Sequence, residues 1–178
     1  VQAVYANGAL YAGLIFAEKS PRALSLRQAQ ELVVQAPLRF VGVFQNQPLD
    51  FVEKIAKQLE LFAVQLHGEE DEHYIAALAE KFVGKIQIWK ALSFHAESLN
   101  WQDNPLIHRY VLDSHQGGSG EVFDWSLIPA ELKHKALLAG GIGLENLDAA
   151  LAQGCLGVDV SSGVESAKGV KQAEKLEA

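Results

Sequence analysis

Short, unbroken apolar runs alternate with segments of helical period from one end of this chain to the other, and that alternation restricts its fold more than any other feature. Residues 11–16 (YAGLIF), 39–44 (RFVGVF), 63–66 (AVQL), 86–92 (IQIWKAL), 110–112, 136–139 and 157–160 read as seven strands. Their continuous apolar character, rather than an in/out alternation, argues for parallel strands covered on both faces. Between them, Ala29, Leu32, Val33 and Ala36 are spaced i, i+3, i+4, i+7. The sets Val52, Ile55, Ala56, Leu59 and Ile75, Leu78, Ala79, Phe82 repeat that spacing, so each places one apolar stripe against a sheet. Ser25 with Gln28 has the form of a capping box and starts the first of these helices. Pro48 precedes the second helix, and Gly143 precedes a helix carrying Leu144, Leu147 and Leu151. Repeated βα units imply a parallel α/β sheet, doubly wound or closed into a barrel, and seven strands without a long linker favour the barrel. Residues 1–8 read as the end of a helix stopped by Gly8, so a strand is expected to precede them.

At 178 residues the chain has the length of one domain with a single large core. Its net charge of −7, from 22 acidic and 15 basic residues, opposes a nucleic-acid partner, which attracts concentrated Lys and Arg. A small anion remains compatible, because a few backbone N–H groups and one arginine can hold it. No apolar run has the length of a membrane span, and no signal-peptide pattern opens the chain. Cys155 is the one cysteine, which rules out an intrachain disulfide and points to the cytoplasm. The six histidines (67, 73, 95, 108, 115 and 134) show no paired metal-ligand spacing, so no metal is expected.

Chemistry concentrates near the C-terminus. Three glycine-bearing segments, Gln116-Gly117-Gly118-Ser119-Gly120, Ala139-Gly140-Gly141-Ile142-Gly143 and Val160-Ser161-Ser162-Gly163, each follow an apolar run. The first is also preceded by a carboxylate, Asp113. Glycine lets backbone N–H groups approach an anion closely. Together the segments suggest one phosphate cup with an acid beside it.

The ordered motifs resemble the phosphoribosylanthranilate isomerase family of tryptophan biosynthesis, in the form fused behind an indole-glycerol-phosphate synthase domain. They are Ser20-Pro21-Arg22, Val41-Gly42-Val43-Phe44, Val64-Gln65-Leu66-His67-Gly68 and Leu112-Asp113. Gly117-Gly118-Ser119-Gly120 with Phe123-Asp124-Trp125, Leu138-Ala139-Gly140-Gly141 and residues 159–166 (DVSSGVES) complete the series. The resemblance runs from Val1 to the end and implies a (β/α)8 TIM barrel whose second to eighth strands are the seven counted here. It thus implies a single barrel domain over residues 1–178, truncated at the N-terminus and at the C-terminus. The family's first strand carries a Lys-(Ile/Val)-Cys-Gly motif whose cysteine is the general base. No position here matches it, and Cys155, in the connection before the last strand, reads as a small core residue.

The activity so implied is an Amadori rearrangement of N-(5-phosphoribosyl)anthranilate to 1-(o-carboxyphenylamino)-1-deoxyribulose 5-phosphate. An acid opens the furanose by protonating the ring oxygen, and a base then removes the proton from C2 of the Schiff base. No redox change occurs, so no cofactor is implied. Asp113 takes the role of the acid, with Val111 and Leu112 supplying an apolar surround; its other reading is a turn cap. Arg22 grips the anthranilate carboxylate, where a planar guanidinium suits a planar carboxylate. Gly141, Ser161, Ser162 and Gly163 hold the phosphate, with Gly118 and Gly120 contributing unless residues 117–120 form a loop over the substrate. His67 and Gln65 end a strand at the same mouth, His67 being either a substrate contact or a packed residue. Lys90 points into the mouth or snorkels at its rim, Asp124 is an ordinary cap, and Trp89, Trp101 and Trp125 are packing aromatics.

Other phosphate-binding barrels fit less well. A synthase needs catalytic lysines and a glutamate at strand ends, and an epimerase needs metal-binding histidines with paired aspartates. A barrel without its general base, serving as a structural partner or an inactive fragment, is the non-enzymatic alternative. On that ground the segment alone is expected to turn over poorly.

Overall fold

The computed structural model describes residues 1–94, 101–114 and 122–177. The chain divides into two compact units, Val1–Trp89 and Lys90–Ala178. Seven parallel strands are hydrogen-bonded in chain order, so each strand's neighbour in the sheet is its neighbour in sequence. This is the α/β architecture that the alternation of periods implies.

In the first unit a short helix, α1 (Gln2–Ala6), is closed by Gly8 at φ 77° before β1 (Tyr11–Ile15). The loop after β1 leads into α2 (Leu26–Val33), whose capping box is complete. Ser25 Oγ accepts the Gln28 N–H at 3.3 Å, and Gln28 Oε1 accepts the Ser25 N–H at 2.9 Å. β2 (Arg39–Phe44), α3 (Leu49–Gln58), β3 (Ala63–Leu66) and α4 (Glu72–Phe82) follow. The β1–β2 and β2–β3 ladders set Ile15 beside Val43 and Val43 beside Gln65. β3 is buried along its whole length, and Leu14, Phe44, Val52, Leu66 and Leu78 fill the core around it. Gly42 is fixed by that packing, because a Cβ there would lie 2.6 Å from Leu61 and 2.7 Å from the Phe44 ring. α4 is capped by Asp71, which accepts the Tyr74 N–H at 2.8 Å, and it ends at Val83 in the left-handed region, φ 49°.

β4 (Gln87–Phe94) runs across the boundary between the units. In the second unit β5 (Arg109–Ser114), α5 (Ala130–Lys133), β6 (Ala136–Leu138), α6 (Leu147–Leu151) and β7 (Gly157–Val158) continue the pattern. Leu112 pairs with Leu138, and Leu138 with Val158. Beyond the parallel sheet an antiparallel hairpin, β8 (Glu165–Ala167) with β9 (Val170–Lys171), precedes α7 (Ala173–Glu177).

Several boundaries differ from the sequence reading by a residue or two, and two of the differences bear on the glycine turns. The helix placed directly after Gly143 begins only at Leu147, and Leu144 and Leu151 are exposed. The cause is Asn146, whose side chain accepts the Gly143 N–H and donates to the Gly141 carbonyl, both at 2.9 Å, holding the chain in a turn until residue 146. The last parallel strand stops at Val158 rather than at residue 160, although the Asp159 N–H still reaches the Leu138 carbonyl at 2.8 Å. The three tryptophans do pack as expected: Trp89 is buried with its ring edge-on to Tyr11 at 5.1 Å, and Trp101 stands edge-on to Tyr110 at 5.8 Å. Trp125 is half-buried in a 3-10 turn.

Candidate active site

In the second unit the C-terminal ends of the strands bring together an acid and two of the three glycine turns. Asp113 lies half-buried near the end of β5, behind Val111 and Leu112, which are 1% and 0% exposed. The neighbouring strand β6 leads into Gly140 and Gly141, both in the left-handed region at φ 78° and 66°. Gly140 packs against the acid itself. A Cβ on it would stand 2.5 Å from Asp113 Oδ1 and from the Ser114 N–H nitrogen, and 2.7 Å from Ser114 Oγ. Any larger residue there would push the carboxylate aside.

The third glycine turn folds onto the second. Gly163 sits against residues 142–143 so closely that a Cβ would overlap the Ile142 carbonyl oxygen and lie 2.7 Å from the Gly143 Cα. Lys171 Nζ supports this turn from the hairpin, donating to the Ser161 carbonyl at 2.7 Å and to the buried Glu165 carboxylate at 3.2 Å. Ser162 and Gly163 open a short 3-10 helix, at whose start the first backbone N–H groups lack intrahelical acceptors. Gly141, Ser161, Ser162 and Gly163 therefore belong to adjoining turns at the same strand ends as Asp113. Residues 117–120, with Gly118 and Gly120, lie outside the described residues, as do His95 and His115.

Two other carboxylates are explained by structure alone. Asp124 caps the 3-10 turn, accepting from the Ser126 N–H at 3.0 Å and Ser126 Oγ at 2.7 Å, and these bonds hold its carboxyl below the usual range. Asp103 is held low chiefly by Lys135, whose ammonium stands 2.6 Å away and also faces the Tyr110 ring. Burial pushes the half-buried Cys155 thiol up, which fits a packed residue and not a base.

In the first unit, Arg22 lies in a loop folded back on the end of β1. Ser20 Oγ accepts the Arg22 N–H at 3.2 Å, and the Leu24 N–H returns to the Ile15 carbonyl at 2.8 Å. His67 follows β3, its N–H bonded to the Phe44 carbonyl at 2.8 Å. The buried Gln65 amide stands 3.0 Å from His67 Nδ1. With the Gln65 NH2 as donor, Nδ1 is the acceptor in that bond, which fixes the orientation of the ring. Lys90 is half-buried on β4.

A model of the N-(5'-phosphoribosyl)anthranilate isomerase family matches residues 1–178. The chain belongs to that family. The phosphoribosylanthranilate isomerase of Thermus thermophilus superimposes with a TM-score of 0.87 at 32% identity, covering 99% of this chain and 88% of that one. A phosphoribosylanthranilate isomerase solved in complex with reduced 1-(o-carboxyphenylamino)-1-deoxyribulose 5-phosphate gives 0.81 at 29% identity, over 99% of this chain and 88% of that one. Among curated relatives, the tryptophan biosynthesis protein TrpCF of Haemophilus influenzae is 58% identical over 99% of this chain. TrpCF of Salmonella typhi is 47% identical over 95% of it. The chain spans only 38% and 37% of the length of those two proteins.

Two side chains of this isomerase family member were not singled out from sequence. Asn146 ties the Gly141–Gly143 turn, and its one signal is an asparagine three residues after a glycine at a turn position. Lys171 acts on Ser161 from ten residues away, across a hairpin too short and too polar to read as strands.

Proposed function

We propose that this chain is the phosphoribosylanthranilate isomerase part of a bifunctional tryptophan-biosynthesis protein, acting in the cytoplasm beside a covalently linked indole-glycerol-phosphate synthase domain. The observation that carries the reading is the packing of Gly140 against Asp113, with Gly163 on the adjoining turn. An acid and two glycine turns share one group of strand ends. The seven parallel strands are then strands two to eight of a single (β/α)8 barrel domain, and the site takes its usual place at their C-terminal ends.

In this reading Asp113 protonates the furanose ring oxygen of N-(5-phosphoribosyl)anthranilate, and the C1–O4 bond breaks as the nitrogen lone pair forms the Schiff base. A base takes the C2 proton, the role that the resemblance gives to a cysteine with no matching position in residues 1–178, and the resulting enolamine is reprotonated at C1 as its hydroxyl becomes the ketone. Backbone N–H groups of Gly141, Ser161, Ser162 and Gly163 bind the phosphate, with Gly118 and Gly120 in support. Arg22 pairs with the anthranilate carboxylate, and His67 contacts the substrate. Relatives named TrpCF and a neighbour solved with the reduced product support this substrate class.

The test is turnover of N-(5-phosphoribosyl)anthranilate by the full-length natural polypeptide, followed by chromatographic appearance of the ketose product. Formation of product that is lost in Asp113→Asn is the expected result. A wild-type protein that leaves the substrate unchanged would sink the assignment.

A further inference from the structure

We infer that Asn46, Gln47 and Glu70 form a polar latch across the ends of β1, β2 and β3, positioning the segments that present Arg22 and His67 to the carboxylate end of the substrate. The inference rests on the isomerase reading and adds to it three residues outside the substrate contacts.

The latch is reciprocal. The Glu70 carboxylate, in a residue only 8% exposed, accepts the Asn46 N–H at 2.8 Å through Oε1 and the Gly68 N–H at 3.0 Å through Oε2. In return Asn46 Oδ1 accepts the Glu69 N–H at 2.7 Å. Each loop therefore supplies one side chain to the backbone of the other, over 23 and 24 residues of sequence. Asn46 holds a left-handed conformation, φ 58°, that asparagine and glycine adopt most readily. Gly68 leaves the space the asparagine needs, since a Cβ there would overlap Asn46 Oδ1 and lie 2.9 Å from its backbone nitrogen.

Gln47 extends the latch to the first strand. Its buried side chain donates through Nε2 to the Phe16 carbonyl at 2.8 Å, immediately after β1, and accepts the Gln45 N–H. Tyr74 closes the far side, its hydroxyl donating to the Gln47 carbonyl at 3.0 Å. Burial, assisted by the Glu70 charge, pushes that phenol up to about 12, so it remains a donor across the working pH range. A buried carboxylate is costly to keep without such partners, and here it orders backbone at two loop ends. Those loop ends flank the site residues: Phe16 begins the segment that carries Arg22, and Gly68 follows His67 directly.

Glu70→Gln replaces one acceptor oxygen by an NH2 group facing a backbone donor. Asn46→Gly keeps the left-handed backbone and removes the reciprocal acceptor. In the full-length natural polypeptide, each is expected to raise KM for N-(5-phosphoribosyl)anthranilate about tenfold while kcat stays within about twofold, as for loss of a binding contact rather than a transition-state one. Inhibition by inorganic phosphate, which reports the turns of the second unit, should keep its Ki within about twofold. An unchanged KM in both folded variants overturns the inference. So does a KM and a phosphate Ki that rise together, which marks general loosening, or a failure of both variants to fold, which makes the latch purely structural. Absence of turnover in the wild type defeats the isomerase reading and this one with it.

Discussion

Asp113 follows two buried residues of β5, Val111 and Leu112, and the missing side chain of Gly140 leaves its carboxylate room. If it is the acid, Asp113→Asn should lower kcat by about 10²- to 10⁴-fold with little change in KM, measured by steady-state kinetics on the full-length polypeptide. Its place at a strand end beside a glycine turn was legible in the sequence, because a carboxylate ending an apolar run is a local pattern. Ser25 with Gln28, and Asp124 with Ser126, were legible for the same reason, each bond closing within three residues. The Glu70 to Asn46 bond was not legible, because 24 residues separate the partners and no periodicity marks them. Asp103 offers a second test at this scale. Its folded pKa is depressed by Lys135, so the pair's contribution is present above the unfolded aspartate value of about 4 and is lost as pH falls through the lower folded value. Asp103→Asn should therefore flatten the acid-unfolding curve below pH about 4, read from tryptophan fluorescence. An equally steep curve in the variant would show that the pair contributes nothing.

Elements in this chain end where backbone geometry, not hydrophobicity, dictates. The helix after β6 starts late because Asn146 holds the glycine turn, so apolar spacing alone placed its start too early. The β8–β9 hairpin escaped notice because Glu165, Ser166 and Ala167 carry neither period, and only the lysine bonds across it reveal its purpose. Gly163→Ala tests the contact between turns: its methyl must displace the Ile142 carbonyl, and inorganic phosphate should then inhibit at least about tenfold more weakly, measured as a competitive Ki. An unaltered Ki would separate this turn from anion binding. α4 supplies the opposite case. Val83 closes it in a left-handed conformation that a β-branched residue tolerates poorly, and its side chain is 77% exposed. Val83→Gly should stabilise the protein by roughly 1 kcal/mol and raise Tm by a few degrees in calorimetry, because strain is relieved and no packing is lost. A lower Tm would mean that the valine is not strained there.

The alternation of periods foretold a parallel α/β sheet of seven strands, since each run is visible alone, but the order of the strands does not follow from the runs. What it did not foretell is the division into two compact units, because compactness depends on which side chains meet and not on how often apolar residues recur. The chain-order pairing of the strands has a further consequence, in the making of the protein. Each strand after β1 meets a partner already synthesised, so β2 can pair with β1, and β3 with β2, before the later strands exist. A ribosome-bound chain stalled once Trp89 has left the exit tunnel should already show protease-resistant β1–β3, while one stalled before Ala63 should not. Protection that arises only after release would contradict this. Within β1–β7, a sheet laid down in the order of translation gives every strand after the first a mate that already exists.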